Sequence, residues 1–388
     1  MKSKTRSCYD DFSIMTNFEN LYKAHYSCKK GKMWKDSVIQ YHTRALECTS
    51  FLQMQIGRGT YKISPYHCFE INERGKIRKI MSVKYKDRIV QKCFNDNIFV
   101  PYIESKFAYE NAASQKGKGT DFSRELLKKH MREMVSKYGA DCYVLVCDIH
   151  NYFGSISHEK INAKYRKYFT DERLLKMVDD IHSSTPGDAG VPIGNQLSQG
   201  DALLMLNAFD HMIKEKLHVR QYGRYMDDFY LLSNSKDDLY QKLDIIRQEI
   251  KDLGLELNEK KTKIASFHTG FIFLGFHYFV TDSGKVIMLL DGKKKRREKR
   301  RIRKHKKKVE SGEMTFKDAK ESYRSWRSHV EGKNTYYLLQ EMDLFFMNTF
   351  IKFLNSEELK QLNVLIHKSN IRKEKRKNKR GGKRCQKR

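Results

Sequence analysis

Three aspartates in two short segments could carry chemistry in this sequence. Asp227 and Asp228 are adjacent within Gln221 to Ser233, QYGRYMDDFYLLS, and apolar and aromatic residues flank them on both sides. Strand formers on either side of an acidic tip predict a tight β-hairpin. A turn needs at most one of two mutually repelling anions, so the pair favours a site for a divalent cation. An ordinary acidic turn is the alternative for this segment taken alone.

A third carboxylate ends the run from Cys142 to Ile149, CYVLVCDI. Such a continuous apolar run of strand formers predicts a buried strand. An ionised Asp148 at the end of a buried strand is costly unless it is paired or bound to a metal. A central strand that ends beside the hairpin tip would bring Asp148 next to Asp227.

Positive charge is concentrated in two short segments. The 388 residues carry a formal net charge of +30, of which residues 293–308 hold +12 and residues 372–388 hold +10. Charge focused in this way predicts a polyanionic partner, because each neutralised phosphate releases counterions. A solvated face or a targeting signal is the alternative for the second segment. No amphipathic stretch supports a membrane surface as the partner.

Composition and cysteine usage limit the class of protein. With 39% hydrophobic and 12% aromatic residues, the chain is expected to be globular, as one multi-lobed unit or two to three domains. The eight cysteines form no Cys-x-x-Cys pair, which predicts buried free thiols in a reducing compartment. The amino terminus has no apolar run, and no stretch approaches the roughly 18 apolar residues of a membrane span. The expectation is a soluble intracellular protein.

The elements around the aspartates follow from periodicity and from Gly and Pro punctuation. The predicted strands are 61–63, 68–71, 77–83, 142–149 and either a strand pair or one bent strand within 271–280. The predicted helices lie within 1–56 and at 86–101, 121–137, 159–183, 201–217, 236–254, 294–310, 316–330 and 335–354. The last three predict a helical unit whose aromatic stripe forms a core.

Two basic segments precede the acidic strand. The predicted hairpin at 68–83 favours a flap that grips a triphosphate, with an edge kept soluble by charge as the alternative. Its cations are Arg74, Lys76, Arg78 and Lys79. The loop at 115–120, QKGKGT, lacks the spacing of a P-loop, so nucleotide hydrolysis is rejected. At the start of a helix, Lys116 and Lys118 favour contact with a nucleic-acid backbone.

The loop from Gly190 to Gly200, GVPIGNQLSQG, opens another helix. It is either a simple connection or a source of free backbone N–H groups and amide side chains for a base pair or a sugar.

The order of these motifs resembles the reverse transcriptases over residues 60–280, with a weaker match to about residue 350. The motifs are Asp148, Tyr152-Phe153, Gly194-Asn195-Gln196-Leu197-Ser198-Gln199, Tyr225-Met226-Asp227-Asp228, Gly254-Leu255, Asn258, Lys261-Thr262-Lys263 and Phe273-Leu274-Gly275-Phe276. The resemblance implies an α+β, right-hand polymerase fold with fingers, a palm with an antiparallel sheet, and a helical thumb. The implied parts are an N-terminal helical extension at 1–56, fingers at 57–144, palm at 145–285 with an inserted fingers segment at 157–190, thumb at 293–356 and a basic tail at 365–388.

The activity that the resemblance implies is RNA-directed DNA synthesis. Asp148, Asp227 and the backbone carbonyl of Ile149 would hold two Mg²⁺ ions, and Asp228 would complete the acidic cluster. Two such ions can activate a primer 3′-hydroxyl and neutralise the pyrophosphate leaving group. The implied partners are dNTPs, an RNA template and the primer/cDNA duplex.

Further contacts also come from the resemblance. Phe153 matches the side chain that blocks a ribose 2′-hydroxyl, Arg78 and Lys79 match fingers residues that hold the triphosphate, and Lys261 matches the lysine near the leaving phosphate. Gly194 and Gln196 complete the nucleotide contacts. The implied nucleic-acid contacts are Lys116, Lys118, Ser198, Gln199, Tyr225, Met226, Lys293, Arg296, Arg297, Arg300 and Arg301.

Two departures narrow the subfamily. Most bacterial relatives carry Gln-Gly and then Ser-Pro in the loop before the acidic hairpin, whereas this chain has Ile193-Gly194 and then Ser198-Gln199. This form resembles the reverse transcriptases of diversity-generating retroelements, which misincorporate opposite template adenines and use a small basic accessory protein. Exchange of Gln for Ile removes hydrogen-bonding groups beside the nascent base pair. This loss is a route to weaker discrimination against mismatched bases.

Other members and roles stay open. A phage-defence enzyme that copies a dedicated non-coding RNA is one alternative, and a non-catalytic nucleic-acid scaffold is another. Retron enzymes are disfavoured because their extra motifs are missing. The expected location is the cytoplasm of a bacterium, with the gene carried by the bacterium or a phage.

Overall fold

The computed structural model describes residues 11–73 and 76–385, and the chain divides into two compact units, Met1–Ala265 and Ser266–Arg388. The helices of the first unit are α1 (Asp11–Thr16), α2 (Phe18–Lys29), α3 (Asp36–Thr43), α4 (Ala45–Gly57), α5 (Tyr85–Phe94), α6 (Val100–Tyr102), α7 (Thr120–Tyr138), α8 (Tyr152–Ser155), α9 (His158–Tyr165), α10 (Glu172–Ser183), α11 (Gln196–Met205), α12 (Asn207–His211) and α13 (Lys236–Asp252). Its strands are β1 (His67–Glu73), β2 (Lys76–Ser82), β3 (Tyr143–Asp148), β4 (Tyr222–Tyr225), β5 (Asp228–Ser233) and β6 (Lys263–Ser266).

A four-stranded sheet in the order β4-β5-β3-β6 lies at the centre of the first unit. β3 pairs antiparallel with β5 from Tyr143 opposite Ser233 to Asp148 opposite Asp228. Five consecutive residues of β3 are buried, as expected for a strand covered on both faces. This register places the end of β3 beside the tip of the β4–β5 hairpin.

Helices α7 and α13 both pack against this sheet. The buried residues of α13 are Leu239, Leu243, Ile246 and Ile250, so the apolar face predicted from their spacing is confirmed. On α7, Nδ1 of His130 lies 3.0 Å from the hydroxyl of Tyr230, which joins the helix to β5. The sheet that carries the aspartates is therefore held by both apolar packing and a buried hydrogen bond.

The structure differs from the prediction at residues 61–63 and 159–183. No strand forms at 61–63. The Tyr61 hydroxyl donates to Asp87 at 2.8 Å, and Tyr61 and Ile63 pack against the core without strand pairing. The predicted helix at 159–183 is interrupted, because Asp171 accepts hydrogen bonds from the backbone N–H groups of Arg173 and Leu174 and so begins a new helix. Residues 1–10 of the predicted helical extension lie outside the described residues.

The second unit contains a three-stranded antiparallel sheet and four helices. Its elements are β7 (Phe271–Phe273), β8 (Phe276–Val280), β9 (Val286–Leu290), α14 (Gly292–Glu310), α15 (Phe316–Val330), α16 (Tyr336–Thr349) and α17 (Ser356–Cys385). The helical core that was predicted from the aromatic stripe is confirmed by the buried residues Ile302, Ala319, Tyr323, Met342, Phe346 and Phe350. Strand β9 was not predicted, although its burial alternates as in a strand with one covered face.

Two predicted ranges cross boundaries of the structure. The range predicted for the palm, 145–285, is divided at Ala265, because β7, β8 and β9 form their own sheet. The range predicted for the tail, 365–388, begins inside α17, which ends at Cys385. Residues 386–388 of that tail lie outside the described residues.

The described cysteines and helices can be compared with the predicted buried thiols and the predicted absence of a membrane span. Among the described residues the free cysteines are Cys28, Cys48, Cys68, Cys93, Cys142 and Cys147. The prediction of buried thiols holds for four of them, whereas Cys48 is half-buried and Cys68 is exposed. In the part of the chain that is described, no helix combines the length and the apolar character that a membrane crossing requires.

We expect Gly223→Ala to destabilise the first unit. A Cβ atom at this position of β4 would lie 2.6 Å from the ring of Tyr230, which is fully buried on the neighbouring strand. Overpacking of this kind costs about 1–3 kcal/mol in the free energy of unfolding. Urea denaturation checks the value, with Gly292→Ala, where nothing lies within 4 Å, as the matched control. Equal midpoints for the two variants would contradict the expectation.

Candidate active site

The tip of the β4–β5 hairpin is a strained turn at Met226 and Asp227. Tyr225 lies opposite Asp228 in the ladder, so the two residues between them make the reversal. Met226 has φ of 55°, in the left-handed region that a methionine adopts at a cost of roughly 1–2 kcal/mol. The surrounding structure must therefore hold this turn.

A buried ion pair holds it. Arg224 donates from Nη1 to the carbonyl of Met226 at 3.0 Å. Its Nε and Nη2 atoms each lie 2.6 Å from a carboxylate oxygen of Asp210, and neither side chain is exposed. The Tyr222 hydroxyl donates to the same carboxylate at 2.6 Å. Sequence reasoning missed Arg224 and Asp210, although an arginine inside an otherwise apolar strand was an available signal.

The fold brings the three predicted aspartates together. Asp148 and Asp228 are direct partners across β3 and β5, and the Ile149 N–H donates to the Asp227 carbonyl at 3.2 Å. Burial and the neighbouring Asp227 and Asp148 carboxylates raise the pKa of Asp228 to about 7. Burial and Asp148 also raise the pKa of Asp227, although Lys261 and Arg78 act in the opposite direction. The site is thus a partly buried cluster of mutually repelling carboxylates.

The segment after α13 supplies the groups that hold Asp148. Lys261 donates from Nζ to Oδ2 of Asp148 at 2.6 Å, and Asn258 donates from Nδ2 to Oδ1 at 3.0 Å. The backbone N–H of Asn258 also donates to the Asp148 carbonyl at 2.7 Å. Burial would lower the pKa of Lys261, but the bond to Asp148 and the three carboxylate charges raise it overall. Both residues therefore fix the orientation of the Asp148 carboxylate.

A cleft of about 620 Å³ opens over the cluster. One wall comes from the β1–β2 hairpin, another from the segment after β3, and a third from the loop at 185–193. The residues predicted from sequence that line the cleft are Arg78, Lys79, Asp148, Ile149, Phe153, Asp227 and Lys261. Gly194 lies at the hairpin side of the same loop, since a Cβ atom there would be 3.8 Å from Ile80. Arg74 and the side chain of Lys76 lie outside the described residues.

Other predicted contacts lie away from this cleft lining. Tyr225 and Met226 are half-buried in the hairpin, Gln196 is half-buried at the start of α11, and Ser198 is buried within it. Gln199 is exposed and accepts a hydrogen bond from the Ser114 hydroxyl at 3.0 Å. This bond joins the start of the Gly/Lys loop to α11.

Lys118 differs from the sequence expectation. Its Nζ donates to the carbonyl of Tyr109, the carbonyl of Asn111 and Oε1 of Gln115, at 2.9 to 3.1 Å. An ammonium group has three N–H donors, and these three acceptors of the same segment use all of them. Lys118 therefore closes the loop instead of extending towards a nucleic acid, whereas Lys116 is exposed.

In the second unit, α14 carries the predicted basic stripe. Lys293, Arg296 and Arg300 are exposed and recur at spacings of three and four, which places them on one helix face. Arg297 is also exposed. Arg301 instead donates to Glu298 at 2.9 Å and to the Ser322 carbonyl at 3.1 Å, so it is held within the helical unit.

The cluster has the donor chemistry of a site for hard cations. Within the described ranges, no three His, Cys, Asp or Glu side chains are grouped as ligands of one ion. The set that fits consists of the Asp148 and Asp227 carboxylates with the nearby backbone carbonyl of Ile149, which are oxygen ligands of the kind that Mg²⁺ takes. Burial and the neighbouring carboxylates raise the pKa values of Asp227 and Asp228, and a divalent charge bound between the carboxylates would offset both effects.

Comparison with known proteins defines the class. Residues 70–278 match the family described as reverse transcriptase (RNA-dependent DNA polymerase), and the chain belongs to that family. Members of that family are RNA-directed DNA polymerases, a class of nucleotidyltransferase. The antiparallel central sheet among helices agrees with the α+β, right-hand polymerase fold class predicted from the motifs, and this prediction is confirmed.

Individual relatives are distant. The chain is 24% identical over 245 residues to Protein YkfC of Escherichia coli (strain K12), a match that covers 52% of this chain and 63% of that protein. It thus spans less than two thirds of the length of this relative. Among solved structures, apo telomerase from Candida tropicalis truncated from its C-terminal domain is similar with a TM-score of 0.43, 14% identity and coverage of 61% of this chain and 58% of the other. Telomerase from Candida albicans in complex with a fragment of telomeric RNA is similar with a TM-score of 0.46 and 11% identity. This match covers 79% of this chain and 58% of the other.

We expect Asp210→Asn to destabilise the protein strongly. The substitution leaves the Arg224 guanidinium buried with half of its pairing removed, a change that costs about 3–5 kcal/mol in the free energy of unfolding. Chemical denaturation of the purified variant measures this loss. Asp180→Asn is the matched control, since Asp180 is exposed on α10. Similar stabilities for the two variants would show that the ion pair does not hold the hairpin.

Proposed function

We propose that this protein extends a primer 3′-hydroxyl with dNTPs on an RNA template at the cleft above Asp148, Asp227 and Asp228. The observation that carries the proposal is the convergence of the three carboxylates beneath a cleft whose opposite wall carries Arg78 and Lys79. Two Mg²⁺ ions held by Asp148, Asp227 and the Ile149 carbonyl would activate the hydroxyl and neutralise charge on the leaving group.

The residues of the chain have separate tasks in this proposal. Asn258 and Lys261 hold the Asp148 carboxylate in one orientation, which preorganises the oxygen that faces the reacting groups. The Lys261 ammonium also lines the cleft, where it can stabilise negative charge on the leaving phosphate. Arg78 and Lys79 lie on β2, from which they bind the triphosphate and orient it.

Phe153 supports a preference for deoxynucleotides. Its half-buried ring lines the cleft five residues after Asp148, and it stands edge-on to Tyr152 with ring centroids 6.0 Å apart. A rigid aromatic side chain at the sugar position excludes a 2′-hydroxyl by steric contact.

The subfamily proposal depends on Ile193. This side chain lines the cleft from the loop at 185–193, where an apolar group offers no hydrogen bond to a nascent pair. We therefore propose error-prone cDNA synthesis of the kind made by diversity-generating retroelements, in the cytoplasm of a bacterium. The proposed partners are the RNA template, the primer/cDNA duplex bound along α14, and a small basic accessory protein.

We expect Asp227→Asn to lower dNTP incorporation on a primed RNA template by at least about a hundredfold, because it removes a metal-binding charge and keeps the shape of the side chain. Primer extension in Mg²⁺ measures the rate, and filter binding with the same primed RNA measures affinity. Affinity should stay within about threefold of the wild type.

The control for this variant is Asp237→Asn, an exposed position in the first turn of α13. It should keep wild-type incorporation. Normal polymerisation by Asp227→Asn would show that the cluster is not the site of synthesis.

We expect Ile193→Gln to reduce misincorporation opposite template adenines by about three- to tenfold, since the amide restores hydrogen-bonding groups beside the nascent pair. Sequencing of cDNA made on a defined RNA measures errors at each template base. Equal error rates in Ile193→Gln and the wild type would contradict the retroelement proposal.

Sequencing of cDNA made in cells tests the alternative role. A uniform or repetitive cDNA sequence would favour a phage-defence enzyme instead.

A further inference from the structure

Two segments of the first unit together form the wall of the cleft that carries Phe153 and Ile193. The first runs through residues 153–158 and the second through 188–193. Three backbone bonds join them: Val191 N–H to the Phe153 carbonyl at 2.8 Å, Gly190 N–H to the Ile156 carbonyl at 2.8 Å, and His158 N–H to the Asp188 carbonyl at 2.9 Å. The segments are therefore in register, but the second belongs to a loop that connects two helices.

The backbones of the two segments touch at glycines. A Cβ atom on Gly190 would lie 3.4 Å from the Gly154 carbonyl oxygen, and Gly190 has φ of 103°, in the region that favours glycine. Glycine also carries the largest conformational freedom of any residue, so contacts with neighbouring groups hold this geometry. The backbone bonds from the Gly190 and Val191 N–H groups are two such contacts, and a further restraint acts at the Gly190 carbonyl.

The side chain of His158 supplies that restraint. Its Nε2 atom lies 2.8 Å from the Gly190 carbonyl oxygen, and His158 is 8% exposed. A carbonyl oxygen only accepts, so Nε2 carries the proton and donates it. The Thr185 hydroxyl lies 3.0 Å from the same nitrogen, 2.8 Å from the His182 carbonyl oxygen and 3.1 Å from the Gly190 carbonyl oxygen, so it assists His158 at the Gly190 carbonyl.

We propose that His158 is a positioning residue that sets the nucleotide selectivity of the cleft, an inference that depends on the proposed function. By holding the Gly190 carbonyl from α9, it fixes the distance between the Phe153 ring and the Ile193 side chain across the wall. His158 does not line the cleft, yet it thereby determines how strictly the site selects the sugar of the nucleotide and the base of the nascent pair.

The first test is structural and needs no activity. In hydrogen exchange of the full chain, His158→Leu should exchange faster at the amides of Gly190 and Val191, by about three- to tenfold, because one buried hydrogen bond is lost. Exchange along β3 should not change. His158→Gln, whose amide can donate from a similar position, should restore slow exchange. Unchanged exchange at Gly190 in His158→Leu would overturn the inference, whatever the activity.

The second test separates positioning from a general loss of stability. Single-nucleotide incorporation with dNTP and the matching rNTP gives kcat and KM for each, and the ratio of the two kcat/KM values is the selectivity. His158→Leu should lower this ratio by about three- to tenfold, mainly through a higher KM for the dNTP. His158→Gln should recover most of it. Mere unfolding lowers kcat for both nucleotides equally and leaves the ratio unchanged, which would contradict positioning.

Phe153→Val distinguishes the inference from the function on which it depends. If Phe153→Val accepts ribonucleotides and His158→Leu keeps wild-type selectivity, the positioning by His158 is wrong and the polymerase site stands. If the wild type incorporates neither nucleotide on primed RNA, the proposed function fails, and the selectivity assigned to His158 fails with it.

Discussion

The buried ion pair between Arg224 and Asp210 is the interaction on which the arrangement of the site depends. A buried pair of this kind often adds little net stability, because both charges lose their hydration. Its effect here is geometric: two bonds to Asp210 fix the guanidinium, and Nη1 donates to the Met226 carbonyl. The left-handed turn at Met226 is thereby kept in the conformation that places Asp227 beside the end of β3.

Electrostatics around Asp148 complement this backbone constraint. Three carboxylates are gathered in a partly buried place, where burial and the charges of the neighbouring carboxylates raise the pKa values of Asp227 and Asp228. Lys261 and Asn258 bind Asp148 from a segment more than 100 residues later, so one carboxylate is already paired and oriented. A cluster preorganised in this way needs little rearrangement to bind hard cations, which is the condition for efficient electrostatic stabilisation.

Several candidate site residues could be recognised from the sequence because their local signals were strong. An apolar run ending in Asp148, and strand formers flanking two aspartates, each predict one element without reference to the rest of the chain. His158 and Asp210 carried no comparable signal, and the arginine at 224 in an otherwise apolar strand gave a signal that did not identify its partner. A buried histidine or ion pair acquires its role from partners far away in sequence, and composition does not reveal those partners. Lys118 shows the converse, since a lysine in a glycine-rich loop suggested a phosphate contact and instead closes the loop.

The sequence by itself determined the α+β class, the motif order and the three aspartates, because these depend on local periodicity and on residue chemistry. Only the tertiary structure decided the register that makes Asp148 the partner of Asp228, the ion pair beneath the hairpin and the bond from His158 to the Gly190 carbonyl. It also decided the separation of β7, β8 and β9 into the second unit. These features follow from long-range packing and hydrogen bonding, which override local propensity and have no counterpart in a short stretch of sequence.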